Sequence, residues 1–141
     1  MKSFKREYIM MLMIVLLVSS SDALFSRKRV RMRISNGVKD NRVLNLLCRS
    51  GDDDFGVKTL MYQQFFEFSF KPNILGRTVF NCEFANDKLH VDKIDVYGGR
   101  RDGLKCHACF WEFQEKGLCL GETSNGPFND CRVLWNDTST Y

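Results

Sequence analysis

Apolar and polar residues alternate through most of this chain, the two-residue period that lines one face of a β-strand. Val30, Met32 and Ile34 alternate with Arg31, Arg33 and Ser35 until Asn36-Gly37 ends the run. Leu44, Leu46 and Cys48 share the next face, and Ser50 to Gly56 read as a loop, because Ser, Asp and Gly favour turns. Phe66, Phe68 and Phe70 continue the alternation; Pro72-Asn73 and Gly76 turn the chain into Phe80, Cys82 and Phe84. Leu89 and Val91 form the start of a strand that continues through Ile94, Val96 and Tyr97, with its parity slipping at Asp92-Lys93. Gly98 to Gly103 predict a mobile turn, Cys109, Trp111 and Phe113 another inward set, and Leu118 to Leu120 with Cys131 to Trp135 a closing pair. These segments predict an all-β fold, a small disulfide-stabilised antiparallel β-sandwich of seven to eight strands, with no helical period after residue 24.

The exception to the two-residue period is the start of the chain. Lys2, Lys5 and Arg6 lead into an apolar run from Ile9 to Val18 and then Ser21-Asp22-Ala23, the charge, core and small-residue triplet of a secretory signal peptide. Residues 1–23 are therefore expected to be a cleaved leader and 24–141 one secreted, extracellular domain. No later run approaches the roughly 18 apolar residues of a membrane helix, so the mature chain is not expected to be membrane-inserted.

Export changes how the six cysteines read, since outside the cytosol they are expected to be oxidised in pairs. Cys106 and Cys109 have the spacing of a redox or zinc motif. However, Phe110 to Phe113 continue as a strand where a thioredoxin-like site needs a helix, and no second close cysteine pair is present. Cys119 and Cys131 flank a polar loop at comparable places in the last two strands and are expected to pair. A Cys106–Cys109 bond would close a very short loop and stabilise little, so Cys48, Cys82, Cys106 and Cys109 are expected to form two cross-strand bridges, with partners open.

Candidate chemistry is otherwise sparse. The full chain carries a net charge of +4, and the mature domain one less, because the leader removes three cations and two carboxylates. Arg27 to Arg33 concentrate the excess into a patch able to meet an acidic partner, cell-wall polyanion or lipid headgroups, but interleaved aromatics for nucleic acid are lacking. Asp52, Asp53 and Asp54 lack the alternating ligand spacing of an EF-hand and read as a solvated turn. His90 and His107 sit in no catalytic motif, and the scattered carboxylates make no glycosidase pair. No cofactor and no metal are expected. Asn136-Asp137-Thr138 is a glycosylation sequon.

In order and spacing, Val30 to Asn36, Leu46 to Gly56, Phe68 to Phe70, Gly76 to Phe84, Asp95 to Tyr97, Cys106 to Trp111, Gly117 to Cys119 and Cys131 to Trp135 resemble the plant self-incompatibility protein homologue family. Phe84-Ala85-Asn86 and the placement of Phe110 depart from that pattern. The resemblance implies a non-catalytic extracellular ligand; in the founding poppy system such a protein is secreted by the stigma and recognised by a pollen membrane receptor. The expected partner is thus a cell-surface receptor, in self-incompatibility or other reproductive or developmental communication, with the chain acting as a monomer. Loops on a rigid scaffold suit that role, and Asp52 to Asp54, Arg100 with Arg101, and Glu122 with Asn125 are the expected contacts. The rival readings are a secreted nuclease or hydrolase using its histidines, and a cationic defence protein acting on membranes.

Overall fold

The computed structural model describes residues 2–25, 28–103 and 105–135. The expected leader forms helix α1 (Lys2–Phe25); among the described residues no helix is long and apolar enough to cross a membrane. Strands β1 (Val30–Asn36), β2 (Leu44–Arg49), β3 (Asp54–Leu60), β4 (Phe65–Phe70), β5 (Val79–Ala85) and β6 (His90–Gly98) follow. A single helical turn, α2 (Gly99–Asp102), precedes β7 (Ala108–Phe113), β8 (Gly117–Gly121) and β9 (Phe128–Leu134). They form two sheets, ordered β4-β1-β7-β8-β9 and β3-β2-β5-β6.

The sandwich is all-β, with two departures from the sequence reading. β1 and β7 are parallel, Met32 lying opposite Cys109 and Ile34 opposite Trp111, while every other pairing is antiparallel. The described strands also number nine, because the expected loop from Ser50 to Gly56 ends at Asp53 and β3 begins at Asp54. β3 is an edge strand whose side chains are mostly exposed on both faces, so it shows no alternation to read.

The core fills from the inward residues of both sheets. Phe68, Phe70, Phe80 and Tyr97 pack in a chain of ring contacts, Phe70 and Phe80 with centroids 4.4 Å apart, and Phe84, Phe113 and Trp135 make a second group. Such rings bury large apolar area and prefer tilted or edge-on contacts of this kind. Trp111 ties the sheets directly, its Nε1–H donating to the Val96 carbonyl at 3.1 Å. The parity slip is a β-bulge: Lys93 takes a left-handed φ of 51° and the register steps from Cys82 opposite Ile94 to Phe84 opposite Val91. The extra residue lets Val91 and Ile94 both face inward.

Asn36 is buried, and its hydrogen bonds account for that. Its Nδ2 donates to the carbonyls of Arg42 and Leu60 at 3.1 and 3.0 Å, and its Oδ1 accepts the Val38 N–H at 3.0 Å. The side chain therefore holds the β1–β2 turn against the end of β3.

Cys119 is bonded to Cys131, and Cys48 to Cys82 across β2 and β5, with Cα atoms 3.8 and 4.1 Å apart. The expectation of two cross-strand bridges among the other four cysteines is corrected: Cys106 pairs with Cys109. Cys48 and Cys82 face each other directly in the ladder, which leaves Cys106, just ahead of β7, beside Cys109. Loop entropy governs how much a bond stabilises, whereas proximity governs which bond forms.

Asn36→Leu is expected to lower stability by about 3 kcal/mol, since it strands buried backbone groups; urea unfolding measures this, and a neutral variant would refute the role. Replacing Cys48 and Cys82 with Ser is expected to cost about 2 kcal/mol more than replacing Cys106 and Cys109, because the closed loops span 34 and 3 residues. Equal losses in parallel melts would contradict that ordering.

Candidate functional site

Strand direction determines which loops meet. β6 ends at Gly98 opposite Val79, the start of β5, and β2 ends at Arg49 opposite Asn81, so the Ser50–Asp53 loop and α2 share an end of the sandwich. β7 begins at that end beside β1, and β8 returns to it, with Gly121 opposite Phe110. The 122–127 loop therefore leaves from the same end. The structure thus places Asp52 to Asp54, Arg100 with Arg101, and Glu122 at the α2 end, while Asn125 is carried back over the outer face of the first sheet; all of them are exposed.

Each segment is held by its own hydrogen bonds. Ser50 Oγ accepts the N–H groups of Asp52 and Asp53, the Ser50 N–H donates to the Asp53 carbonyl at 2.8 Å, and Asp54 Oδ1 accepts the Gly56 N–H at 2.9 Å. These Asx and Ser turns shape the loop that carries the acidic triplet. The stretch predicted as a mobile turn, Gly98 to Gly103, is instead built around α2. Asp102 Oδ2 accepts the Gly98 N–H at 2.9 Å and Arg101 Nη2 at 2.7 Å, and Arg101 also reaches the Asp95 carbonyl. The hydrogen bond to Asp102 raises the Arg101 pKa. Arg101 is thus tied into the scaffold, while Arg100 projects beside Gly76.

In the third loop, Thr123 Oγ1–H donates to the Gly126 carbonyl at 2.7 Å, ahead of a cis Gly126-Pro127 bond. Asn125, Ser124 and Phe128 line a groove of about 310 Å³ with Arg33, Ser35, Gln63, Phe65 and Glu112, so the loop folds back from the α2 end toward the start of β4. Part of the cationic face of β1 is neutralised there: Arg33 Nε–H donates to Glu67 at 2.7 Å, and its guanidinium lies 3.9 Å from the centre of the Phe65 ring. Asn136, the expected glycosylation site, lies outside the described residues.

The histidines do not converge. His90 opens β6 at the end opposite α2 and His107 lies just ahead of β7 at the α2 end, separated by about 27 Å of strand at roughly 3.3 Å per residue. A site using both is therefore ruled out by distance. His90 instead meets Glu83 and Asp92, its Nε2 lying 2.6 and 3.2 Å from their carboxylate oxygens. These are, among the described residues, the cluster of three potential metal ligands, with ligand atoms within 4.8 Å of one another. The hydrogen bond to Glu83 and then the charge of Asp92 raise the His90 pKa, because both carboxylates favour the imidazolium form. Sequence reasoning missed it because the three residues meet only when β5 and β6 pair.

Residues 31–135 match the sequence signature of the family described as plant self-incompatibility protein S1. The chain is 36% identical over 109 residues to S-protein homolog 3 of Arabidopsis thaliana, spanning 74% of this chain and 71% of that protein. It is 33% identical over 120 residues to S-protein homolog 4 of the same plant, spanning 82% and 78%. Its fold resembles a solved SPH (self-incompatibility protein homologue) structure with a TM-score of 0.58 at 21% identity, covering 74% of this chain and 92% of that one. That structure represents what is described as a widespread family of small, highly stable, secreted proteins from plants.

The His90 cluster has a defined pH signature. A raised folded-state pKa contributes stability that is complete below the unfolded value of about 6.5 and is lost as pH rises through the folded value. The difference in Tm between the native chain and His90→Gln is expected to be clear near pH 5.5 and to shrink as pH rises above about 6.5. A constant difference in differential scanning across that range would count against the ion pair.

Proposed function

We propose, from the premise that this chain belongs to the plant self-incompatibility protein S1 family, that it is a secreted, non-catalytic ligand read by a receptor protein on a plant cell surface. Residues 1–23 are removed on export, and the remaining domain works outside the cell in reproductive or developmental communication. One observation carries this reading: three separately encoded exposed polar segments, with Asp52 to Asp54, Arg100, and Glu122, leave the same end of a sandwich closed by three disulfides, the last of them carrying Asn125 back over the outer sheet face. A scaffold of this kind presents loops without rearranging its core, so little ordering cost opposes binding. The separation of His90 from His107 favours this reading over the two-histidine nuclease.

Reversing charge at Asp52, Asp53, Asp54, Arg100 and Glu122 together, with Arg101 left in place to hold Asp102, is expected to weaken saturable binding to plant plasma-membrane preparations at least about tenfold. Treating the membranes with protease first is expected to remove the same component. If the reversed variant binds as tightly as the native chain, or protease has no effect, the receptor reading fails.

A further inference from the structure

The α2 end also carries a cationic surface that receptor-reading loops leave unexplained. Val30 pairs with Phe70, which brings Arg29 and Lys71 together where β1 begins and β4 ends, and Arg29 Nη2 donates to the Ser69 carbonyl at 3.3 Å. The Arg31 N–H donates to the His107 carbonyl at 2.9 Å, placing Arg31 beside the segment that carries Lys105. The Gly99 N–H donates to the Thr78 carbonyl at 2.8 Å, placing Arg77 beside Arg100. All six cations are exposed, and none forms an ion pair among the described residues. Asp102, the carboxylate within this stretch, is occupied by Arg101 and the Gly98 N–H. The opposite end differs, since its Arg42 lies between Asp87 and Glu115.

A second feature stands beside this surface. The turn after β4 presents Ile74 and Leu75 at its tip, 51% and 62% exposed, with Val79 41% exposed at its foot. The tip is held firmly. The Asn73 N–H donates to Thr78 Oγ1 and the Leu75 N–H to Asn73 Oδ1, both at 2.7 Å, while the Gly76 N–H donates to the Asn73 carbonyl at 3.0 Å. Gly76 adopts a left-handed φ of 70°, and Gly99 packs so closely on it that a Cβ there would lie 2.8 Å from the Gly76 carbonyl oxygen. The turn is thus braced against α2 with its two large aliphatic side chains facing water.

A rigid apolar tip flanked on its β1, β7 and α2 sides by cations without ion pairs matches the two layers of a bilayer surface, acyl chains beneath anionic headgroups. We infer that the α2 end docks on anionic phospholipid membranes, with Ile74 and Leu75 entering the interface and Arg29, Arg31, Lys71, Arg77, Arg100 and Lys105 meeting the phosphates. An acidic polysaccharide would engage the cations but leave the aliphatic tip in water. Asp52 to Asp54 lie at the same end after β2, the strand beside β5 into which the turn leads, and an anionic surface repels them. Docking therefore tilts the domain so that the acidic loop stays clear of the lipid. The inference stands apart from the receptor reading, since it concerns protein-free lipid and the 71–79 turn.

The test uses protein recovered from the medium of a plant expression host and co-sedimented with phosphatidylcholine vesicles with or without phosphatidylserine. Binding is expected with phosphatidylserine only, and about tenfold weaker when salt rises from about 0.05 to 0.5 M. Ile74→Ser with Leu75→Ser is expected to reduce vesicle binding about tenfold while leaving retention on a polyuronate gel unchanged; Lys71→Glu with Arg77→Glu is expected to reduce both. These positions are exposed, and circular dichroism checks that each variant folds. Leu75→Trp is expected to show a blue-shifted emission on adding anionic vesicles, against the buried Trp111 and Trp135. The inference is overturned if the native protein ignores anionic vesicles, binds neutral ones equally, or is retained by polyuronate alone. It is equally overturned if the Ile74/Leu75 variant binds vesicles like the native protein.

Discussion

The parallel pairing of β1 with β7 is the constraint on which the arrangement depends. A parallel neighbour must begin at the same end as its partner, so the chain leaving β6 has to reach the end where β1 starts before β7 can form. It does so within the short stretch that contains α2, Lys105 and the Cys106–Cys109 bond. That return packs the α2 segment against the 71–78 turn and the start of β1. Without it, the first sheet would lose the junction between its β4-β1 and β7-β8-β9 parts, and the charges carried by three distant segments would not share a surface.

Polar groups at the ends of the sandwich divide into those that hold the scaffold and those left exposed to solvent. Asn36, Asp102 and Arg101 belong to the first kind, each engaged with backbone that would otherwise lack a bond. Arg100 and the acidic triplet belong to the second, exposed at the surface with any local bonds confined to their own turns. Residue type alone does not separate the kinds: Arg100 and Arg101 are adjacent and chemically identical, yet Arg101 is a strut and Arg100 is left at the surface, free of ion pairs among the described residues.

Much of the fold was legible in the sequence because burial alternates wherever a strand has one face on the core. Val30, Met32 and Ile34 are buried, as are Phe80, Cys82 and Phe84, and even the slip at Asp92-Lys93 corresponds to a real bulge. β3 was not legible, since an edge strand with solvent on both sides carries no alternation. That omission had more than local weight: dropping one strand reverses the direction assigned to every later one, so the meeting of the loops at one end could not be read from the chain. The parallel β1/β7 register and the Glu83, His90 and Asp92 cluster were hidden for a related reason, since both arise from pairings between segments that sequence spacing does not specify. The Cys106–Cys109 bond was misjudged through an energetic argument applied to a question of proximity.

The bulge in β6 has a meaning for the protein in bulk. β6 is an outer strand of its sheet, and a long, flat outer strand offers a row of backbone donors and acceptors on which another chain can add itself. The left-handed turn at Lys93 interrupts that row and twists the strand, and its side chain is charged and exposed, which disfavours pairing with another chain. A residue that first shows itself as an irregularity in core packing thus also guards against stacking of copies into aggregates, a hazard for any small β protein that accumulates between cells.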